Sequence, residues 1–222
     1  MAGDDRGGLV AALLDRYGRQ TLAEQAEIKL QDAPNTLFQV FQLAVLLDAR
    51  VSPDTAVEAF MQLRERRWTT TKHLLDASNE DVTEALTGLG YPDSDAERIV
   101  VALSDAALHL EEDHGGDLGG LRHAVGRDPA QERERLMRFA RVRDVAVDAF
   151  FREVQLLWGE LLPFADKKVL DAAGRLGLGD DAAALRELTG SDEDFVRLED
   201  ALVRVRHDED GYRLVRQAAG ER

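Results

Sequence analysis

Apolar residues recur along this chain at spacings of three and four, the repeat of a helix with one buried face. No segment shows the alternation of apolar and polar residues that is typical of a half-buried strand. The pattern therefore predicts an all-α protein. The expected helices cover residues 8–17, 21–31, 36–47, 53 onwards, 78–86, 94–113, 130–138, 142–158, 167–176, 192–206 and 208–217.

Local signals mark several of the expected helix ends. Ser52 and Pro53 suit a cap and the first helical position, because a hydroxyl can accept from a free N–H and proline lacks one. Ser78 lies three residues before Asp81 in a stretch that resembles a capping box. Gly115 is expected to stop the long helix, because glycine tolerates a left-handed backbone.

The same pattern suggests how the chain is divided. Residues 36–47 are apolar on almost every face, so we expect this helix to be buried at the centre of the fold. The glycine-rich stretch 115–120 is the expected seam. We expect one globular unit over residues 1–222, with a central lobe of about residues 36–125. The second lobe is expected to comprise about residues 1–35 and 126–222.

Composition excludes several classes of protein. The chain has 222 residues, enough for a full core, and it has no cysteine. Disulfides, thiolate catalysis and cysteine-bound metal clusters are therefore excluded. No apolar run is long enough to cross a bilayer, and the acidic start lacks a signal-peptide pattern. We expect a cytoplasmic protein with no membrane partner, no metal and no cofactor.

The net charge of −15 argues against tight binding of nucleic acid, which normally requires a basic surface. Two small basic islands remain beside candidate functional positions. The first is the arginine-rich stretch 138–152, and the second is the pair Lys167 and Lys168 beside Asp166. We therefore expect contact with double-stranded DNA to be weak and strongly dependent on salt.

The segment 163–178 is the most informative about chemistry. Asp166 follows a proline–aromatic loop and opens a short helix that ends in Gly-Arg-Leu-Gly-Leu. A carboxylate there can accept hydrogen bonds from free backbone N–H groups, and the helix dipole favours its ionised form. Such a group can stabilise a cationic sugar or activate a water molecule. The simpler interpretation is a plain helix cap, and both remain open.

Four segments, one of which contains Asp166, follow one another in an order that resembles the sequences of the endonuclease III-like, helix-hairpin-helix DNA glycosylases. The first segment is similar to their first core helix, and the later ones to their glycine–aromatic turn, their helix stop and the segment with their catalytic aspartate. These segments are Asn35–Ser52, Glu84–Ile99, His114–Asp117 and Phe164–Leu178. The resemblance implies a two-lobed helical fold, a DNA partner and a catalytic role for Asp166 in a cleft near Arg50 and the loop 141–145.

The chain also departs from that family at positions that matter for chemistry. Arg141 and Arg143 occupy the places of two hairpin glycines, whose backbone N–H groups hold a DNA phosphate in the family. Val145 occupies the place of the nucleophilic lysine of the bifunctional members, and it cannot form a Schiff base. The resemblance therefore implies at most a monofunctional enzyme.

Basic side chains are the candidates for DNA contact. Arg141 and Arg143 can bind phosphate through their guanidinium groups. Arg50 matches the family's wedge, which fills the gap left by a flipped base, although a solvated helix-end cation is an equal alternative. We include Lys167 and Lys168 with these three.

Other residues carry weaker signals. The five histidines lack metal-ligand spacing, and Trp68 and Trp158 are expected to pack rather than to stack on bases. Two functional classes remain. The first is a monofunctional DNA glycosylase of base-excision repair. The second is a non-catalytic module that binds DNA lesions or a protein partner.

Overall fold

The computed structural model describes residues 2–220, and within them it contains helices and no strand, so the all-α prediction is confirmed. The helices of this part of the chain are α1 (Ala2–Tyr17), α2 (Leu22–Gln25), α3 (Pro34–Leu46), α4 (Pro53–Glu65), α5 (Thr71–Leu75), α6 (Asn79–Thr87), α7 (Asp93–His114), α8 (Leu118–Ala124), α9 (Pro129–Leu136), α10 (Asp144–Val154), α11 (Lys167–Arg175), α12 (Ala182–Glu187), α13 (Asp192–Val205) and α14 (Gly211–Ala218).

The chain divides into two compact units. The larger unit comprises Ala23–Leu161, and the smaller unit combines Met1–Leu22 with Leu162–Arg222. These boundaries differ from those expected for the two lobes. The glycine-rich stretch 115–120, the expected seam, lies inside the larger unit, because Asp117 caps α8 and the apolar face of that helix is buried.

Helix α3 forms the centre of the larger unit, as its apolar sequence predicts. It packs against α4, α7, α8 and α10, and nine of its thirteen residues are buried. The Phe41 ring lies edge-on to Phe150 at 5.8 Å and to Phe139 at 6.0 Å. Phe150 in turn meets Trp158 at 5.3 Å, so one aromatic cluster joins α3, α10 and the loop before α10.

The smaller unit is built around α13, which packs against α1, α11 and α12. Its core contains Leu13 of α1, Val169 of α11 and Phe195 of α13, each fully buried. Helix α11 therefore has a fixed position in this unit, because one face of it is anchored in the core.

The predicted helix signals are confirmed where they are local. The Ser52 hydroxyl accepts from Thr55 N, and the Ser78 hydroxyl accepts from Asp81 N, so both serines cap their helices. Gly115 stops α7 with a left-handed backbone at φ 62°. Three short helices, α5, α8 and α12, were not predicted. Helices of one or two turns depend on tertiary packing, so their own sequences show them weakly.

No helix among residues 2–220 combines the length and apolar character that crossing a membrane requires.

Candidate functional site

The candidate residues fall into two groups, one in each unit. Arg50, Arg141 and Arg143 belong to the larger unit, whereas Asp166, Lys167 and Lys168 belong to the smaller unit. A cleft that unites the two groups stays a prediction.

The loop between α9 and α10 holds Arg141 and Arg143. Two contacts fix this loop on the larger unit. Its Phe139 ring joins the aromatic cluster at Phe41, and the Ala140 N–H donates to the Asp105 carboxylate of α7 at 2.7 Å. The loop therefore presents the segment 140–143 from a well-anchored position.

Arg141 has a left-handed backbone, with φ 63°, at a place where glycine would be free of strain. A side chain in this conformation costs on the order of 1 kcal/mol. Its side chain is exposed, and it forms no ion pair among residues 2–220. Arg143 differs, because its φ of −119° is extended and it stands directly before α10. Only Arg141 thus reproduces the backbone conformation that the resemblance assigns to a glycine.

Asp48 holds the Arg143 side chain. The guanidinium donates to both carboxylate oxygens of Asp48 and to its carbonyl oxygen, each at 2.7 Å. Asp48 is 3% exposed and also accepts from Arg98 at 3.1 Å. Burial lowers the pKa of Arg98, whereas hydrogen bonding to Asp48 raises the pKa of Arg143. The buried carboxylate is therefore compensated by two cations, as a buried charge must be.

Asp95 extends this group towards Arg50. Its carboxylate lies 3.6 Å from the Arg50 Nε atom and 3.8 Å from Arg98 Nε. The Arg50 side chain is 80% exposed, so this long contact leaves it accessible. Arg50 and Arg143 thus lie at opposite ends of one charged network that runs through Asp48, Arg98 and Asp95.

The two aspartates of this network were not among the residues that we predicted from sequence. Asp48 has a visible signal, because it is an acid that follows an apolar helix directly. Asp95 has no such signal, since it is one of several acids at the start of α7.

Asp166 caps α11. Its carboxylate accepts from Val169 N at 3.0 Å, and the residue is only 5% exposed. The plain-cap interpretation is thus confirmed as a structural role, and it is compatible with a catalytic one. A catalytic base must also be rigidly held, and this cap holds the carboxylate at the positive end of a helix.

The two lysines beside Asp166 have different surroundings. The Lys167 ammonium contacts Asp171 one turn later at 2.9 Å, and its side chain is 84% exposed. Exposed pairs of this kind are weak, so the Lys167 ammonium stays accessible to a phosphate. The Lys168 carbonyl accepts from Arg206 at 2.8 Å, which ties the start of α11 to the end of α13.

We predict that Arg143→Ala lowers the free energy of unfolding by about 1–2 kcal/mol, because Asp48 loses one of its two cationic partners. Urea denaturation measures the change. Arg141→Ala is the control, since it removes an exposed side chain from the same loop and should change stability by less than ~0.5 kcal/mol. Equal effects of the two variants would contradict a structural role for the Arg143–Asp48 pair.

No set of three or more histidine, aspartate or glutamate side chains within residues 2–220 is arranged to hold a metal ion.

Comparison with protein-family models gives no match for this chain, and no curated protein matches it.

Proposed function

We propose that this protein is a divergent member of the helix-hairpin-helix DNA glycosylase type and at most a monofunctional enzyme of base-excision repair. The observation that carries the proposal is the buried carboxylate of Asp166, fixed by Val169 N at the start of α11. The sequence around it, from Phe164 to Leu178, is the part that resembles the catalytic segment of that family.

The chemistry that we propose for Asp166 is simple hydrolysis. The carboxylate takes a proton from a water molecule while the water oxygen forms a bond to the sugar C1′ atom. The bond from C1′ to the base breaks, and the base leaves with the electron pair and is protonated by solvent. A negative charge held nearby also stabilises the cationic sugar in the transition state.

Val145 limits the proposed reaction to base removal. An enzyme that also cuts the strand needs an amine to form a Schiff base with the opened sugar. Val145, which occupies the place of that lysine in the resemblance, is aliphatic. The expected product is an intact abasic site.

The second candidate is a non-catalytic module that binds DNA lesions or a protein partner. It is favoured by the engagement of Arg143 with Asp48, which removes part of a cationic surface that is already small. The net charge of −15 adds to this argument, because it repels the phosphate backbone.

The test is an excision assay on duplexes that contain uracil, oxidised purines or alkylated bases, followed by alkali to reveal abasic sites. Release of a free base with no strand cut before alkali supports the enzyme. DNA binding without release across the panel supports the second candidate. Trapping of a covalent adduct by borohydride would reject the monofunctional mechanism, because it requires an amine nucleophile.

Salt dependence tests the DNA contact itself. We expect a logarithmic slope of about −2 to −4 for binding to duplex DNA, because few phosphates can meet a free cation. A slope near −8 would contradict the small cationic surface, and no binding at low salt would reject both DNA-directed candidates.

A further inference from the structure

The segment from the end of α4 into α5 carries a concentration of positive charge that the proposed function does not use. Residues 66–73 include the cations Arg66, Arg67 and Lys72 together with His73, and they contain no acid. None of these four side chains forms an ion pair with the side chains that the structure describes, those of residues 6–220. By contrast, the neighbouring Arg64 is paired with Glu27 at 2.6 Å. Unpaired cations clustered on a protein of charge −15 indicate an anionic ligand.

The backbone of this segment is strained at Arg67. Trp68 N donates to Leu63 O at 2.8 Å and Arg67 N donates to Arg64 O at 2.9 Å, the pattern of a Schellman helix end. Arg67 takes the left-handed position of this motif, with φ 64°, where glycine is strongly preferred. Glu27, Arg127 and Arg141 share this left-handed backbone, so the conformation locates Arg67 at a helix end and is not by itself a sign of a site.

Trp68 forms the aromatic wall of the site. Its backbone is held from two sides, because Trp68 N bonds Leu63 O and Trp68 O accepts from the buried Gln42 amide at 2.8 Å. The Arg66 guanidinium lies 5.1 Å from the centre of its ring, and the residue is only half-buried. A guanidinium stacked on a ring keeps its N–H edges free for an anion.

An open surface pocket lies at this position. It has a volume of about 280 Å³, and it is lined by Arg66, Arg67, Trp68, His73, Asp76 and Ala77, whereas Lys72 lies outside the lining. That volume is slightly below the usual range for drug-sized ligands, ~300–1,000 Å³, so one small group fits. The Asp76 carboxylate opposes binding of a phosphate on its own, so a ligand needs a second contact beside the charged one.

We propose that this pocket binds a nucleoside phosphate, with the phosphate on Arg66 and Arg67 and the base against the Trp68 ring. Guanidinium groups match phosphate geometry, and an aromatic ring can stack on any base. The same chemistry is offered by a free nucleotide and by a nucleotide within a single strand. The inference does not rest on the proposed function, because the pocket can bind whether or not Asp166 acts on DNA.

The test is a titration of the full chain with AMP, adenosine, inorganic phosphate, thymidine monophosphate and a short oligothymidylate. Binding is followed by calorimetry and by tryptophan fluorescence. Trp158 is fully buried, so a change in fluorescence is expected to report Trp68, and Trp68→Phe checks this assignment. We expect AMP to bind about tenfold or more tightly than adenosine or inorganic phosphate. Only AMP can contact both the two arginines, through its phosphate, and the Trp68 ring, through its base.

Variants separate the site from general charge effects. Arg66→Gln combined with Arg67→Gly is expected to weaken AMP binding by about tenfold or more, since the charged contacts are lost. Arg67→Gly alone should raise the thermal midpoint by about 2–4 °C while it weakens binding, because it relieves backbone strain. Arg127→Gly is the matched control, since Arg127 has the same left-handed backbone at φ 59° outside the pocket. It should raise the midpoint and leave binding unchanged.

The affinities of the different ligands show whether the nucleotide is free or part of a strand. Oligothymidylate that binds about tenfold or more tightly than thymidine monophosphate indicates a strand, whereas equal affinity indicates a free nucleotide. In both cases the Arg66/Arg67 variant must lose the binding and the Arg127→Gly control must keep it. The proposal is overturned if neither AMP nor oligothymidylate binds at millimolar concentration. It is also overturned if wild type and the Arg66/Arg67 variant bind equally well.

Discussion

Asp166→Asn is expected to lower base excision by about two to four orders of magnitude and to leave the fold intact. A neutral amide cannot take a proton from water or stabilise a cationic sugar, and either loss is worth a large factor in rate. Asparagine caps helices about as well as aspartate, so the amide oxygen should still accept from Val169 N. We expect a change of at most about 1 kcal/mol in the free energy of unfolding.

A second aspartate cap provides the control for that variant. Asp181 caps α12 in the same unit, and its carboxylate accepts from Ala184 N at 2.8 Å with the same three-residue spacing. Asp181→Asn should match Asp166→Asn in stability and should retain wild-type excision on the most active substrate of the panel. Excision that survives in folded Asp166→Asn would remove Asp166 from the mechanism.

Glu132→Gln is expected to stabilise the protein at pH 8 and to have little effect at pH 5. Glu132 of α9 is fully buried, and no donor among residues 2–220 reaches either of its carboxylate oxygens. Burial, followed by repulsion from Glu160, raises the pKa of Glu132 to about 7. Glu160 itself stays ionised, because Arg122 binds both of its oxygens at 2.5 and 2.6 Å and lowers its pKa.

The sign of the effect follows from proton binding. Glu132 is protonated in the folded protein up to about pH 7, whereas in the unfolded chain it ionises near pH 4.5. The folded state therefore binds the extra proton between these values, and stability falls as the pH rises through that window. This difference between the folded and unfolded pKa values of Glu132 corresponds to about 3 kcal/mol of folding stability. That stability is fully lost above pH 7. Glutamine stays neutral at every pH, so it avoids the loss.

Urea denaturation of both proteins at pH 5 and pH 8 measures this difference. We expect Glu132→Gln to exceed wild type by about 2–3 kcal/mol at pH 8 and by less than ~1 kcal/mol at pH 5. Glu134→Gln is the control, because Glu134 lies on the same helix with a 65% exposed side chain and pairs only with Arg138 at 2.6 Å. If Glu132→Gln is less stable than wild type at pH 8, the buried carboxyl is ionised and bound by Arg122 instead.

The features that could be predicted from sequence are those decided within a few residues of the chain. Ser52, Ser78 and Asp166 each cap a helix by accepting from the N–H three residues later, so the partner is specified by its neighbours. The burial of α3 follows for a related reason, because a helix that is apolar all round has no face for water. Gly115 ends α7 because its own backbone permits the turn.

Some helix boundaries were decided by backbone choices that the sequence does not reveal. We predicted a helix over residues 21–31, but α2 ends at Gln25. Glu27 takes a left-handed backbone at φ 55°, and Ile28 N then closes the helix end on Ala23 O at 2.9 Å. A glycine at this position would have predicted the end of the helix, because glycine favours a left-handed backbone. A glutamate gives no such indication.

The partners within the charged networks could be identified only from the tertiary structure. Asp48 and Arg143 are 95 residues apart, and Arg122 and Glu160 are 38 apart, so no spacing rule connects them. Glu132 looks in sequence like any other acid of a polar helix, and only its burial beside Glu160 shifts its pKa. Sequence thus determined the longer helices and the caps named above, because those depend on hydrogen bonds between near neighbours. Tertiary packing decided which cations are neutralised and which stay free, because desolvation and Coulomb energy depend on distance in space.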